Sequence, residues 1–236
     1  MSIKELKKQV WKANRDLVDY KLVTLTWGNV SGYDPKRGLV VIKPSGVSYE
    51  EIKSEDMVVV DLKGNKVEGV LNPSSDTPIH LELYKAFHSI TAIAHTHSDY
   101  ATIFAQACQS IPCLGTTHAD HFNGEVPLTR MMSEKEVIED YEENTGRLII
   151  ERFERLNPLE MPAVLVAGHG PFTWGKTPSE AVSNSLALEK VAKIALGTLL
   201  LAKDEPPFPN YLLKKHFERK HGPGAYYGQK TKGDKK

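Results

Sequence analysis

Two cysteines, Cys108 and Cys113, are the whole thiol content of the 236-residue chain. They are too few for a disulfide framework and are not spaced as C-x-x-C, so buried thiols without a role are the reading. Net charge is also lacking: 30 Lys plus Arg balance 30 Asp plus Glu. The overall field therefore gives no pull toward nucleic acid or an anionic membrane, and any anion must be held locally. Long apolar runs are missing, the stretch 194–202 between Lys193 and Lys203 reaching barely half of the ~20 residues that span a bilayer. The segment 1–8 carries Glu5 among lysines and has no apolar stretch, so no signal peptide is expected and a cytoplasmic location is. No P-loop and no G-x-G-x-x-G is present, which argues against a nucleotide cofactor.

What is present is enough for a core: 40% of residues are hydrophobic and 25% charged, far from the composition of a disordered chain. Ile3, Leu6, Val10, Ala13 and Leu17 recur at helical spacing. Residues 22–70 read as short β-branched strands, 39–43 and 57–61 among them, with a hairpin connection over 62–67. The cap formers of 72–77 precede a helix from Thr77 to about His88, with Pro78 in its first turn. A strand over 91–96 leads to a helix capped by Ser98 and running to Ala107. Helix is expected over 133–156, strand over 163–167, and a long helix opening at Thr177-Pro178-Ser179-Glu180 and ending near Ala202. The alternation implies an α/β fold with a sheet between helix layers. No linker divides the chain, so residues 1–229 are expected to form one domain and 230–236 a frayed, disordered tail.

His95-Thr96-His97 closes a strand, where residues i and i+2 point to one side and two imidazoles can reach one ion; two surface or hydrogen-bonded histidines are the alternative. His169, between Gly168 and Gly170 after another apolar strand, supplies a third donor. Three neutral imidazoles suit a divalent metal with an open position, zinc first. Ser74-Ser75-Asp76 before a helix is either an anion site or an ordinary cap. Lys43-Pro44-Ser45-Gly46 and Thr26-Trp27-Gly28-Asn29 add hydroxyl, amide and ammonium donors suited to phosphate.

Taken in order, Thr24 to Ser31, Ile42 to Val47, Pro73 to Pro78, His95 to Ser98, Gly115-Thr116-Thr117-His118-Ala119-Asp120, His169 to Phe172, Lys220-His221-Gly222 and Ala225-Tyr226-Tyr227-Gly228-Gln229 resemble the L-ribulose-5-phosphate 4-epimerases of the class II aldolase and adducin-head superfamily. The resemblance implies a three-layer α/β/α sandwich around a mostly antiparallel sheet, in a homotetramer with active sites at subunit interfaces. It implies one Zn2+ or other divalent ion held by His95, His97 and His169, with Asp76 at or close to it. Its substrate is a small sugar phosphate, with Gly28, Asn29, Lys43, Ser45, Gly46, Ser74 and Ser75 at the phosphate and Thr116, Thr117 and His216 nearby. Its reaction interconverts L-ribulose 5-phosphate and D-xylulose 5-phosphate by retro-aldol cleavage and re-addition at C3–C4, with Asp120 and Tyr227 as acid/base residues from the neighbouring subunit. Two rivals stand beside it. One is a class II sugar-phosphate aldolase, which resembles the family but carries a longer glutamate at the position of Asp76. The other is a metal-free, adducin-head-like binding domain.

Overall fold

The computed structural model describes residues 1–202 and 208–228; the tail 230–236 and Gln229 lie outside the described residues. Helix α1 (Ile3–Asp19) opens on Ser2, whose hydroxyl accepts the Glu5 N–H at 3.1 Å. The strands are β1 (Asn29–Asp34), β2 (Leu39–Ile42), β3 (Val58–Asp61), β4 (Lys66–Glu68), β5 (Ala92–His95), β6 (Ala163–Val166) and β7 (Gly170–Gly175). They form one sheet in the order β4-β3-β2-β1-β5-β7-β6, and every ladder between them is antiparallel. The remaining helices are α2 (Thr77–Ala86), α3 (Asp99–Gln106), α4 (Thr116–Ala119), α5 (Glu134–Arg152), α6 (Pro178–Leu201) and α7 (Asn210–His221).

Strand alternation sorts the core into two faces. Val30, Ala92 and Ala94 meet Ala13 and Leu17 of α1 and Ala181 and Val182 of α6, while Val41 and Val59 meet Leu6 and Val10. The intervening residues Val40, Val58, Val60 and Ile93 point the other way, into a core with Ile79 and Leu83 of α2 and Ile149 of α5. The result is the expected three-layer α/β/α sandwich.

Several local expectations shift. β7 has the sequence Gly-Pro-Phe-Thr-Trp-Gly, and its Pro and two Gly disguise a strand whose burial comes from Phe172 and Trp174. The helix expected over 133–156 ends at Arg152 and is broken at Asp140, where φ is −152° and ψ 78°. Ser98 precedes α3, but its hydroxyl makes no capping bond. The Glu189 carboxylate of α6 instead accepts the N–H groups of Tyr100 and Ala101, both at 3.0 Å. The cap of α6 is as read, with Thr177 accepting the Glu180 N–H at 3.1 Å, and α5 opens on a capping box of Ser133 and Glu136.

Asn14 joins the first helix to the sheet where the strand that carries the site begins. Fully buried, its carboxamide accepts the Val30 N–H at 2.9 Å and donates to the carbonyls of Val30 at 3.1 Å and Val10 at 2.8 Å. Asn14→Ala strands the Val30 backbone groups without partners, and a denaturant-unfolding midpoint is expected to report a loss of about 1–3 kcal/mol.

Candidate metal centre and anion cleft

Two strand ends meet at the site. β5 ends on His95, which pairs across the ladders with Asn29 of β1 and Phe172 of β7. β6 returns into β7 through Ala167-Gly168-His169, where Gly168 takes φ +70°, a conformation that L side chains rarely adopt. This turn carries His169 to the end of β5. The ligating nitrogens of His95, His97 and His169 come within 4.8 Å of one another, and the Nε2 atoms of His95 and His97 are 3.1 Å apart.

The chemistry of this donor set fits a divalent ion. His95 is 1% exposed, its ring stacked on Phe172 at 4.1 Å, and its Nδ1 lies 2.9 Å from the Pro171 carbonyl oxygen. A carbonyl only accepts, so Nδ1 carries the proton and Nε2 offers a lone pair to the cluster. Nitrogens bound tetrahedrally at the usual 2.0–2.1 Å lie about 3.3 Å apart, close to the observed spacing of that pair. His169 is braced by Tyr141, whose hydroxyl is 3.3 Å from its Nδ1. Burial, together with neighbouring imidazoles, drives His95 well below the ordinary histidine range and His169 to about 4; burial also lowers His97, with the Asp76 carboxylate opposing. All three imidazoles are therefore neutral at pH 7.

Asp76 stands on the wall of the same cleft. It occupies the N-cap position of α2, yet its side chain caps nothing; Oδ2 instead accepts from Asn29 Nδ2 at 2.6 Å. Asp76 thus does not cap α2, while Ser74 Oγ accepts the Asp76 N–H at 3.3 Å. The cleft, about 570 Å³, is lined by Thr26, Trp27, Gly28 and Asn29, by Lys43, Pro44, Ser45 and Gly46, by Ser74, Ser75 and Asp76, and by His95 and His97. The loops are laced together: Ser45 N–H donates to the Asn72 carbonyl and Ser74 N–H to the Lys43 carbonyl, both at 3.0 Å. Gly28, at φ +74°, admits no side chain, since a Cβ would stand 2.7 Å from the His95 carbonyl oxygen. Lys43 is 2% exposed, and burial pushes its ammonium down to about 8 against the opposing pull of Asp76.

Asp120, Thr116, Thr117, His216 and Tyr227 line no part of this cleft. They belong to a second cluster where α4 packs on α7. Asp120 accepts from Arg219 Nε at 2.9 Å and from His216 Nδ1 at 3.1 Å, with Lys220 Nζ at 3.7 Å. Burial raises its carboxyl, but Arg219, His216 and Lys220 outweigh that and hold it below the usual carboxylate range. Tyr227, 63% exposed, lies with its ring 4.5 Å from the Lys220 ammonium. Thr116 and Thr117 are in the first turn of α4. One chain therefore carries the imidazole-and-donor cleft and, apart from it, a carboxylate–tyrosine cluster. Sequence reading missed Arg219 as the partner of Asp120, although the neighbouring Lys220-His221-Gly222 motif marked the segment, and it missed Tyr141 behind His169.

A model of the class II aldolase and adducin N-terminal domain matches residues 8–196. The chain is 54% identical over 228 residues to an L-ribulose-5-phosphate 4-epimerase UlaF of Salmonella paratyphi C, covering 97% of this chain and 100% of that protein. A solved L-fuculose 1-phosphate aldolase is 28% identical with a TM-score of 0.76, covering 91% of this chain and 95% of that one. Another, from Thermus thermophilus, is 25% identical with a TM-score of 0.64 over 86% and 98% of the two chains.

Two measurements test the neutral imidazoles. Wild-type protein is expected to retain one divalent ion per chain by elemental analysis, and His97→Ala or His169→Ala to lose most of it without losing its far-ultraviolet circular dichroism spectrum. In the metal-free protein, His169, and likewise buried His118, titrate near 4 when folded and near 6.5 when unfolded. The unfolded chain then binds more protons between those values, so stability is full above pH 6.5 and falls as pH drops toward 4. Melting temperatures recorded across that range check the sign.

Proposed function

The chain belongs to the class II aldolase and adducin N-terminal domain family, and we propose that it interconverts L-ribulose 5-phosphate and D-xylulose 5-phosphate by cleaving and remaking the C3–C4 bond. What carries this reading is the cleft: convergent imidazoles on one wall and donor-rich loops on the other, in a chain 54% identical along nearly its whole length to an L-ribulose-5-phosphate 4-epimerase. It is an enzyme, an epimerase acting on carbohydrates.

The C4 hydrogen of the substrate is not acidic, so direct deprotonation there does not serve. In the retro-aldol route the C4 hydroxyl loses its proton to a base, the C3–C4 electron pair passes to C3, and C4 becomes the aldehyde of glycolaldehyde phosphate beside the enediolate of dihydroxyacetone. Rotation of the aldehyde and attack by C3 on its other face reverses the configuration, and an acid on that side returns the proton. A divalent ion on His95, His97 and His169, zinc in this reading and with Asp76 close to it, supplies Lewis acidity to the substrate oxygens when bound. Gly28, Asn29, Lys43, Ser45, Gly46, Ser74 and Ser75 grip the phosphate and hold the aldehyde fragment while it turns.

Asp120 and Tyr227 hold and return the C4 hydroxyl proton on opposite faces. The ionised state of Asp120, secured by Arg219, His216 and Lys220, suits the base role. Because these residues lie apart from the cleft within one chain, we assign them to the cleft of a neighbouring copy, in a homotetramer whose sites lie between subunits, with Thr116, Thr117 and His216 near the substrate. Residues 1–229 act as one catalytic unit in this reading, and the location is the cytoplasm. Among the described residues no helix is long and apolar enough to cross a membrane.

An aldolase reading draws on the 28% identity to L-fuculose 1-phosphate aldolase. The two differ in fate: an aldolase releases the fragments, an epimerase retains them. Purified protein is expected to convert L-ribulose 5-phosphate to D-xylulose 5-phosphate, to stop on chelation and to resume when zinc returns. Free glycolaldehyde phosphate as the main product would move the assignment to an aldolase, and no turnover by a folded, metal-loaded oligomer would reject both. Asp120→Asn and Tyr227→Phe are each expected to lower kcat by about 10²–10⁴-fold with metal content unchanged.

A further inference from the structure

The anion-binding wall of the cleft is tied together by a residue that lines no part of it. Tyr49 is 3% exposed, behind the loops. Its hydroxyl lies 2.9 Å from the carbonyl oxygen of Trp27 and 2.8 Å from that of Gly28, so one proton is shared by two consecutive carbonyls of the turn leading to Asn29. Its ring lies against the other loop, with the Lys43 ammonium 4.7 Å from the ring centroid. The backbone of Tyr49 is itself fixed by α1: Arg15 donates to the Tyr49 carbonyl and Trp11 Nε1 to the Ile52 carbonyl at 2.8 Å.

Lys43 explains why an aromatic ring is useful there. Its ammonium is buried, its hydrogen-bond partner is the Pro44 carbonyl at a long 3.4 Å, and among the described residues no carboxylate comes within ion-pair distance. A buried cation needs compensation. A carboxylate in contact would supply it but neutralise the charge; the negative face of a ring stabilises the ammonium and leaves its charge and donors for an incoming anion. The same side chain thus touches both donor loops, one through its hydroxyl and the other through its π face.

We propose that Tyr49 is a positioning residue for the substrate phosphate: it fixes the Trp27–Gly28 turn and the Lys43 ammonium at one spacing, so that both loops meet the same phosphate. This rests on the reading that the cleft takes a sugar phosphate, and it adds the residue that sets the cradle's geometry. The hydroxyl and the ring have separable tasks. Tyr49→Phe removes the first and keeps the second, whereas Tyr49→Leu removes both.

The test is a calorimetric titration of inorganic phosphate into the metal-loaded protein, alongside KM and kcat for L-ribulose 5-phosphate, in wild type, Tyr49→Phe, Tyr49→Leu, Lys43→Met and the Tyr49→Leu/Lys43→Met double variant. Tyr49→Phe is expected to weaken phosphate binding by about three- to tenfold and to raise KM by a similar factor, moving kcat less and leaving metal stoichiometry at the wild-type value. Tyr49→Leu is expected to weaken binding further, and that extra loss is expected to shrink once Lys43 is already methionine, because the ring acts through the ammonium. Wild-type phosphate affinity in Tyr49→Phe overturns the proposal. So does an equal effect of Tyr49→Leu with and without Lys43, or a loss of metal and kcat in step with affinity, which marks general support of the fold. If the variants follow the expected pattern while wild type fails to epimerise, the proposed reaction falls and the Tyr49 assignment stands; if wild type binds no phosphate, both fall.

Discussion

The Pro171 carbonyl oxygen is the point on which the site depends. It accepts the Thr96 N–H at 3.3 Å, closing the ladder beside β5, and lies 2.9 Å from His95 Nδ1. That second contact sets the tautomer of a buried imidazole and turns its free nitrogen toward His97 and His169. A backbone group of β7 thereby orients the imidazole on β5, and the sharp turn at Gly168 that feeds β7 delivers the third imidazole. Sheet pairing and imidazole orientation are one constraint here: a slip in the β5–β7 register would move the carbonyl away from His95 Nδ1.

Around that point the buried polar groups divide labour. Asn14 fastens α1 to the start of β1, and the next residue back, Asn29, holds Asp76. Glu189 satisfies the N-terminus of α3 just beyond the histidine pair. Each is a buried or largely buried polar group that bonds across to another segment: Asn14 to β1, Asn29 to the loop before α2, Glu189 to α3. The site is therefore supported from both helix layers and from the sheet between them, as a site needing fixed donor positions requires.

Much of this was legible along the chain. The amphipathic spacing of α1, the acidic N-terminal end of α5 and the capping signal of α6 are local, and the structure keeps them. His95 and His97 could be read as a convergent pair from strand alternation, although β5 ends at His95 and the pair meets just beyond it. β7 could not, since Gly and Pro at its ends mask a strand that exists through pairing on both sides. The break at Asp140 lay equally out of reach, and so did the capping of α3 by Glu189, whose partners are far away in sequence.

Residue types are set along the chain: neutral imidazoles, hydroxyl and amide donors, an aspartate and a tyrosine, in an order whose resemblance pointed to one chemistry. Which of them meet is a matter of the fold. It brought His169 to His95 from a distant strand connection, laced the 43–46 and 72–76 loops into one wall, and placed Asp120 with Arg219 away from both. The physical reason is that local propensity acts over a few residues, whereas ligand convergence, tautomer choice and compensation of buried charge depend on groups brought together only when the sheet closes its ladders and the helices exclude water.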